Sequence, residues 1–187
     1  MGRYFLLVPL LLFASGCQVR PASAEAPEIA PVPVAPAVPC VVSSAVADIG
    51  TKEQWENGGP RVDEYLRSVK LGTGFYWCAA FAHAKHRECG IVLEPAREFA
   101  SALRFSKENV VFRRGQETDT VGAPGYVYTM NYGKGKGHIG IEESEDEDFI
   151  TGIEGNTNDG GSRNGNGVYR RVRDKQTIWT VNNYLND

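Results

Sequence analysis

The sequence predicts an α+β domain in which N-terminal helices pack on a mostly antiparallel β-sheet. Apolar side chains recur at helical spacing between residues 60 and 105. Between residues 110 and 173 the pattern changes to short runs of β-branched and aromatic residues, separated by clusters of Gly, Asn and Asp. Because the helices come first and the strands follow, the two kinds of element are expected to form separate layers.

Three helices are predicted in the first half of the chain. The first begins at Pro60, after two glycines, and its apolar residues follow helical spacing as far as Val69. The second begins near Trp77 and ends at Glu88, before a glycine. The third is expected over residues 97–105, after a proline.

Strands are predicted after the helices, each bounded by turn-forming residues. An acidic turn at residues 144–147 should join two of them into a hairpin that brings His138 opposite Ile153, give or take a residue. The expected strands span residues 110–112, 126–130, 138–142, 149–154 and 168–173.

The first forty residues predict export. Residues 4–14 form an apolar run after Arg3, and small residues lead from it to Cys17, which is the layout of an export signal. The run has about eleven residues, whereas a helix needs roughly 20 to span a bilayer, so no transmembrane span is expected. We expect the signal over residues 1–17, a linker over residues 18–40 and the folded domain over residues 41–187, with six of the ten prolines between residues 21 and 39.

The residues before Cys17 resemble a lipobox, in which the cysteine becomes the lipidated first residue of the mature chain. This resemblance implies a lipoprotein anchored to a bacterial membrane, at the outer membrane facing the periplasm. Cleavage after Ala24 is the alternative, and it would release a soluble periplasmic or secreted protein. An extended proline-rich linker rises about 3.1 Å per residue, so it could hold the domain on the order of 70 Å from the anchor.

The charge balance of the chain excludes one class of partner. The sequence has 20 Lys and Arg residues against 23 Asp and Glu residues, which gives a formal net charge of −3. Nucleic-acid binding is not expected, because phosphate binding depends on clustered positive charge. We expect the protein to be a monomer.

Cys78 is the candidate nucleophile because it lies at the predicted start of the second helix. Unpaired N–H groups and the helix dipole favour a thiolate at that position. Residues 79–82 are small and apolar enough to be buried, so the sulfur should lie half covered at a rim. Taken alone, Cys78 has the alternative interpretation of a small core residue.

His138 is the only one of the three histidines that can serve Cys78 as a base. His83 and His86 follow Cys78 on the same helix, which places them roughly 7.5 and 12 Å along its axis. Neither can reach the sulfur. His138 opens a predicted strand, and the glycines around it leave room for another group to approach.

Two polar residues on the next strand could orient His138. Glu154 and Asn156 are two residues apart, which places them on one strand face, and either could hold the imidazole in the tautomer that accepts the thiol proton. A strand end followed by an Asx-type turn is the alternative interpretation of this segment. A Cys at a helix start, with His and Glu or Asn on successive strands, is the layout of a papain-like triad.

Three segments occur in the order and spacing of a known family: residues 77–81 (WCAAF), 137–141 (GHIGI) and 153–157 (IEGNT). They resemble the CHAP family of cysteine, histidine-dependent amidohydrolases and peptidases, which belongs with the NlpC-like papain-fold cell-wall hydrolases. The resemblance covers about residues 50 to 175.

The resemblance implies a papain-like fold and hydrolysis of peptide or amide bonds in peptidoglycan. Cys78 would be the nucleophile, and His138 would act first as base and then as acid. Glu154 and Asn156 would orient the imidazole, and the backbone N–H of Cys78 would be the oxyanion donor. The reaction would pass through a thioester and would need no metal or organic cofactor.

Several functions are compatible with this set of residues. A muramoyl–alanine amidase and a peptidoglycan endopeptidase would share them, because specificity lies in the loops. The alternatives are an amidase or thiol peptidase acting on a non-wall peptide conjugate, a non-catalytic wall-binding lipoprotein, and a toxin that lyses rival cells.

The remaining cysteines and histidines suggest a metal site and a disulfide, and a simpler interpretation is expected for each. The spacing of His83, His86 and Cys89 suggests zinc, but no further ligand lies nearby in sequence, so a solvated helix face is expected. Cys40 and Cys89 are the only pair left for a disulfide if Cys17 is lipidated and Cys78 is catalytic. We expect two unpaired thiols and keep the disulfide as the alternative.

Three surface features complete the sequence-based expectations. The acidic run at residues 142–148 should be a solvated hairpin tip, because it lacks the spacing of a calcium loop. The Gly- and Asn-rich residues 155–167 form either a loop that lines a substrate cleft or a long turn. A solvated strand face is expected, in preference to contacts with stem-peptide carboxylates, for the basic residues Arg163, Arg170, Arg171, Arg173 and Lys175.

Overall fold

The order of the elements follows the prediction, with helices first and a sheet after them. The computed structural model describes Gly2 and residues 38–116, 121–161 and 164–186. The predicted lipidation site Cys17, the predicted signal apart from Gly2, and linker residues 18–37 lie outside the described residues. Within the described ranges, no helix is long and apolar enough to cross a membrane.

Helices α1 Cys40–Ala47, α2 Pro60–Ser68 and α3 Cys78–Glu88 form the helical layer. The predicted helices at residues 60 and 77 are confirmed. Helix α1 was not predicted because no side chain caps it and its first turn has no acidic residue, so the sequence lacks a start signal there.

The third predicted helix, at residues 97–105, is broken into two short pieces. A 3₁₀ turn covers Glu98–Ala100, and helix α4 covers Ala102–Phe105. Ser101 between them has an extended backbone, with φ −106° and ψ 127°, and this conformation ends one piece and begins the other.

A disulfide joins Cys40, the first residue of α1, to Cys89, the residue after α3. The two Cα atoms are 5.8 Å apart, although 49 residues separate the cysteines in sequence. The expectation of two unpaired thiols is therefore wrong. Packing of α1 against α3 brings the two chain positions together, and sequence spacing alone does not show this.

The strands form one antiparallel sheet with the order β1-β6-β2-β3-β4-β5. All five predicted strands are present, and the three-residue β6 was not predicted. The structure is thus an α+β arrangement of a few helices and a six-stranded sheet. The strands are β1 Val110–Arg113, β2 Val127–Gly133, β3 Lys136–Glu145, β4 Phe149–Thr157, β5 Gly167–Asp174 and β6 Thr180–Asn182.

The hairpin of β3 and β4 is present, but its register differs from the prediction. Ile141, and not His138, pairs with Ile153. The reason is that β3 continues to Glu145, beyond its predicted end, and the register shifts at a bulge between Glu142 and Ser144. A bulge inserts a residue into one strand and cannot be counted from a turn position.

Helix α3 packs against β3 and β4, and this contact positions the functional site. Its Phe81 belongs to the same buried cluster as Ile139 and Ile153 of the sheet. A Cβ atom at Gly155 would lie 2.7 Å from Phe81 Cβ, so the close approach of α3 to β4 depends on a glycine at that point. The start of α3 is thereby held beside the middle of the sheet.

Candidate active site

Cys78 is the first residue of α3, as the sequence predicts. It is the free cysteine of the described residues, and 7% of its surface is exposed, which is less than the predicted half-covered position. The preceding residue, Trp77, is fully buried and donates a hydrogen bond from Nε1 to Glu53 Oε1 over 2.7 Å. This bond anchors the loop that precedes Cys78. Cys78 therefore lies at the start of the helix, where the backbone N–H groups have no acceptor within the helix.

His138 lies on β3 with no exposed surface, and its two ring nitrogens face different groups. Nε2 is 2.9 Å from Oε2 of Glu154 on the neighbouring strand. Nδ1 has no other hydrogen-bond partner among the described residues, and Cys78 interacts with the ring both as a charge and as a hydrogen-bonding group. The structure therefore brings Cys78, His138 and Glu154 together in the predicted order.

The electrostatics of the site favour a charged imidazole. Burial lowers the pKa of His138, but the charges and hydrogen bonds of Cys78 and Glu154 outweigh burial and raise it to about 9. Burial raises the pKa of Glu154, yet the hydrogen bond from Arg173 and the charge of His138 bring it down to about 2. Glu154 is thus a carboxylate, and His138 can carry a proton at neutral pH.

Two residues that sequence analysis did not place in the site complete the surroundings of Glu154. Arg173 of β5 donates from Nε to Oε1 over 2.7 Å and from Nη2 to Oε2 over 2.6 Å. The Tyr128 hydroxyl donates to Oε1 over 2.8 Å. We call Glu154, His138, Arg173 and Tyr128 the sheet network.

No local sequence signal identifies Arg173 or Tyr128 as partners of Glu154. In the sheet, Glu154 pairs with Tyr169, whereas Arg173 pairs with Ile150. The side chain of Arg173 therefore extends along β5 to reach Glu154, which is not its partner in the strand pairing. The prediction of a solvated strand face is wrong for Arg173, because its guanidinium is held on the buried Glu154. Elsewhere in the predicted patch, Arg170 pairs with Glu143, and Arg163 lies outside the described residues.

The expected room beside the glycines near His138 is present at Gly140, where the approaching group is Tyr128. Tyr128 lies opposite Gly140 in the pairing of β2 with β3. A Cβ atom at Gly140 or at Gly152 would overlap the Tyr128 ring. These two strand positions therefore need glycine, because the Tyr128 side chain lies over them to bring its hydroxyl to Glu154.

Asn156 makes no hydrogen bond to His138, which differs from its predicted role of orienting the imidazole. Its backbone has φ 55°, and the β4–β5 register shifts between Glu154 and Thr157, so Asn156 does not share the strand face of Glu154. Its amide Nδ2 donates to the Gly165 carbonyl over 2.9 Å and lies 3.3 Å from Glu53 Oε1. Asn156 thus ties the glycine-rich loop to the residue that anchors Trp77.

A cleft of about 270 Å³ opens above Cys78. The loop before α3 contributes Tyr76, the segment at the start of α4 contributes Ser101, and the β2–β3 turn contributes Lys136. A substrate carbonyl in this cleft would meet the sulfur of Cys78. The site thus has the parts of a nucleophilic acyl-transfer centre: a thiol, a histidine, and a carboxylate that orients the histidine.

The predicted solvated face of α3 is wrong, because its histidines are buried. His83 is 3% exposed and lies between Ser68 Oγ, at 2.9 Å, and the Leu93 carbonyl, at 3.2 Å. His86 has no exposed surface, and its Nδ1 is 2.8 Å from the Ala82 carbonyl. Among the described residues, no group of three His, Cys, Asp or Glu side chains is arranged to hold a metal ion.

The acidic run at residues 142–148 is only partly the solvated tip that was predicted. Glu142 has no exposed surface, and burial together with the charge of Glu145 raises its pKa to about 7. The residues beyond Ser144 are exposed, and residues 146–148 form the turn into β4. The bulge after Glu142 separates the buried and the exposed parts.

Comparison of the chain with known family models, with curated proteins and with solved structures found no match. The function must therefore be inferred from the geometry of the site and from the sequence resemblance.

Proposed function

We propose that the protein is a cysteine-dependent peptidoglycan hydrolase with a papain-like fold, of the kind found in the CHAP family. Its activity would be that of an N-acetylmuramoyl-L-alanine amidase or of a peptidoglycan endopeptidase. One observation carries the proposal: the buried His138 lies between Cys78, at a helix start, and the carboxylate of Glu154. A histidine with a purely structural role would not require a free thiol beside one ring nitrogen and a carboxylate beside the other. The arrangement around His138 therefore favours a catalytic role.

The first half of the reaction forms a thioester. Cys78 passes its thiol proton to His138 Nδ1, and the sulfur attacks the carbonyl carbon of the amide. The oxyanion that forms receives the backbone N–H of Cys78, which has no acceptor within the helix. His138 then donates its proton to the leaving nitrogen, the C–N bond breaks, and the amine departs.

The second half of the reaction regenerates the thiol. His138, now neutral, takes a proton from a water molecule that attacks the thioester carbonyl. The C–S bond breaks, the carboxylic acid leaves, and the proton returns to the sulfur. Glu154 keeps its charge throughout and holds Nε2–H of the imidazole, while Arg173 and Tyr128 hold Glu154.

We propose that this chemistry occurs outside the cytoplasm. The sequence pattern that ends at Cys17 supports a lipoprotein, with cleavage after Ala24 as the soluble alternative. The disulfide between Cys40 and Cys89 agrees with an oxidising compartment. A proline-rich tether would let the domain reach a cell wall that lies away from the membrane.

The test is mass spectrometry of the soluble fragments that the full chain releases from purified peptidoglycan. Cys78→Ser serves as the matched control, because it keeps the size of the side chain and removes the thiolate. His138→Ala tests the base. We expect fragments with the native chain alone, and their new termini identify the bond that is cut.

Three outcomes would contradict the proposal in different ways. Equal release by the native chain and by Cys78→Ser would show that the thiol is not the nucleophile. If neither protein releases fragments but both sediment with the wall, the chain is a wall-binding lipoprotein. If neither protein releases fragments and neither sediments with the wall, peptidoglycan is not the substrate, and peptide conjugates outside the wall are tested next.

A further inference from the structure

Lys136 is the charged side chain among the described residues that line the cleft above Cys78. The other lining positions are alanine, glycine, Tyr76, Ser101 and the nucleophile itself. No carboxylate faces this cleft from the described lining. Lys136 therefore supplies the formal charge of the described cleft lining.

Lys136 has no ion pair or hydrogen bond from its side chain within the described part of the chain, and it is exposed. Two other lysines of the described residues differ from it. Lys85 pairs with Asp48 and Glu88, and Lys175 pairs with Glu145 over 3.0 Å. The ammonium group in the cleft is therefore available to a ligand without first breaking an internal pair.

The backbone holds Lys136 close to the reacting atoms. It is the first residue of β3 and precedes His138 by two positions, so strand alternation places both on one face, about 7 Å apart along the strand. The turn before it is tightly defined, since Gly133, Lys134 and Gly135 all have positive φ and Gly133 N–H donates to Asn131 Oδ1 over 2.9 Å.

The cleft continues into a second groove of about 410 Å³ that shares Ser101 and Gly135 with it. Arg104 in that groove is neutralised by Glu98 and Glu108, at 2.9 Å each. Lys107 also lines the groove and has no such pair among the described residues. Within the described ranges, Lys107 is therefore a second cation without an ion pair beside the cleft, in a groove that Glu98 also lines.

We propose that this cleft selects substrates with a free carboxylate close to the scissile carbonyl, and that Lys136 binds that carboxylate. The substrate class is an anionic peptide amide, in which the carboxylate of the residue next to the cleaved bond is not blocked. The hydrolytic part of this inference rests on the proposed function. The charge preference at Cys78 can be measured without it.

The first measurement compares two alkylating agents that differ in charge. Iodoacetate and iodoacetamide both form a C–S bond to the thiolate and release iodide, but iodoacetate carries a carboxylate. The rate of modification of the Cys78 peptide in the full chain is followed by mass spectrometry. Lys136→Gln should lower the iodoacetate-to-iodoacetamide rate ratio about fivefold, which corresponds to about 1 kcal/mol.

Lys70→Gln is the matched control for this measurement. Lys70 is also exposed and lies outside the cleft, at the end of α2, so its removal changes the net charge equally. The ratio should stay at the native value in Lys70→Gln. The role of Lys136 is overturned if the iodoacetate-to-iodoacetamide ratio falls equally in both variants. It is also overturned if the ratio falls in neither variant.

The second measurement uses two peptide amides that are identical except for a carboxylate or a carboxamide beside the scissile bond. The native chain should cleave the carboxylate peptide with a kcat/KM about tenfold higher, a difference of about 1.4 kcal/mol. Lys136→Gln should remove this preference, and Lys136→Arg should retain most of it.

The two measurements distinguish the possible failures. Cleavage of both peptides at equal rates by the native chain overturns the carboxylate preference and leaves the hydrolase proposal intact. Cleavage of neither peptide nor peptidoglycan, together with an alkylation ratio that depends on Lys136, overturns the hydrolase proposal and supports the charge preference.

Discussion

Two charge networks of this molecule use similar groups, yet among the described residues only one of them adjoins the proposed nucleophile, Cys78. The helix network, formed by Asp48, Arg61, Lys85 and Glu88, links α1, α2 and α3. Its Lys85 is fully buried, but Asp48 keeps 15% of its side chain exposed and Glu88 keeps 37%. Burial raises the pKa of Asp48, but its hydrogen bonds to Arg61 and Lys85 outweigh burial and lower it.

The sheet network differs in what it leaves unsatisfied. Glu154 and His138 have no exposed surface, and each oxygen of Glu154 accepts two hydrogen bonds. His138 Nδ1, by contrast, has no partner in the described part of the chain except the neighbouring Cys78. Buried charge by itself therefore does not define a functional site. In the proposed mechanism, the proton acceptor is His138 Nδ1, the polar atom that the sheet network orients but does not satisfy.

The largest expected difference between the networks is in activity. Glu154→Gln should lower kcat/KM by about 10³-fold, because an amide cannot stabilise the imidazolium as a carboxylate does. Asp48→Asn changes the corresponding carboxylate of the helix network and should leave kcat/KM within about twofold, since distant sites act independently. Initial rates of fragment release from peptidoglycan measure both. Similar losses in the two variants would contradict the distinction between the networks.

The next difference is in stability. Arg173→Met should lower the free energy of unfolding by about 3 kcal/mol or more, because it leaves the fully buried Glu154 without the guanidinium and its two hydrogen bonds. Lys85→Met should cost about 1 kcal/mol, since Asp48 keeps Arg61 and a contact with water. Urea unfolding followed by tryptophan fluorescence gives both values. The comparison fails if Lys85→Met is the more destabilising substitution.

A third difference concerns pH. The pKa of His138 is raised above its ordinary value to about 9, so the folded protein keeps this proton between about pH 6.5 and 9 and loses it as pH rises further. Activity that needs the imidazolium should fall as pH passes about 9. In Glu154→Gln this high-pH limb, the fall in activity above about pH 9, should move toward lower pH. The reason is that the negative charge of the Glu154 carboxylate is gone.

The initial rate of fragment release from peptidoglycan, followed against pH, measures this high-pH fall in activity in the native chain and in the variant. Asp48→Asn is the control, and its profile should match that of the native chain. A limb that stays near pH 9 in Glu154→Gln would assign the raised pKa of His138 to Cys78 alone.

The smallest difference uses one tyrosine hydroxyl that donates to a carboxylate of each network. Tyr128→Phe removes a hydrogen bond to Glu154, and Tyr65→Phe removes a hydrogen bond of 2.9 Å to Asp48. Each should lower the free energy of unfolding by about 1 kcal/mol. Only Tyr128→Phe should also reduce kcat/KM, by about threefold to tenfold, since it loosens the carboxylate that orients His138. A loss of activity in Tyr65→Phe would show that the helix network also reaches the site.

Local sequence patterns were sufficient for the elements that carry the site. The helix that begins at Cys78 follows from the spacing of its residues and from the glycine after it. The strand of His138 and the strand of Glu154 follow from their β-branched residues and flanking turns. These signals are local because helix and strand propensities act over a few residues.

Contacts between distant segments could not be read from the sequence in the same way. Arg173 resembles its solvated neighbours on β5, and only the packed sheet shows that it reaches Glu154. Asn156 follows the period of Glu154, but a positive φ and a register shift turn it away from His138. The Cys40–Cys89 disulfide likewise depends on how α1 packs against α3.

By itself, the sequence determined the class of fold, the helix start at Cys78, and the strand order along the chain that places His138 before Glu154. Only the tertiary structure decided which polar atoms meet: Glu154 on His138, Arg173 on Glu154, and Lys136 beside the cleft. The physical reason is that propensity and periodicity are properties of short segments. Register shifts, bulges and helix packing are set by the whole core, and they decide which side chains come within hydrogen-bonding distance.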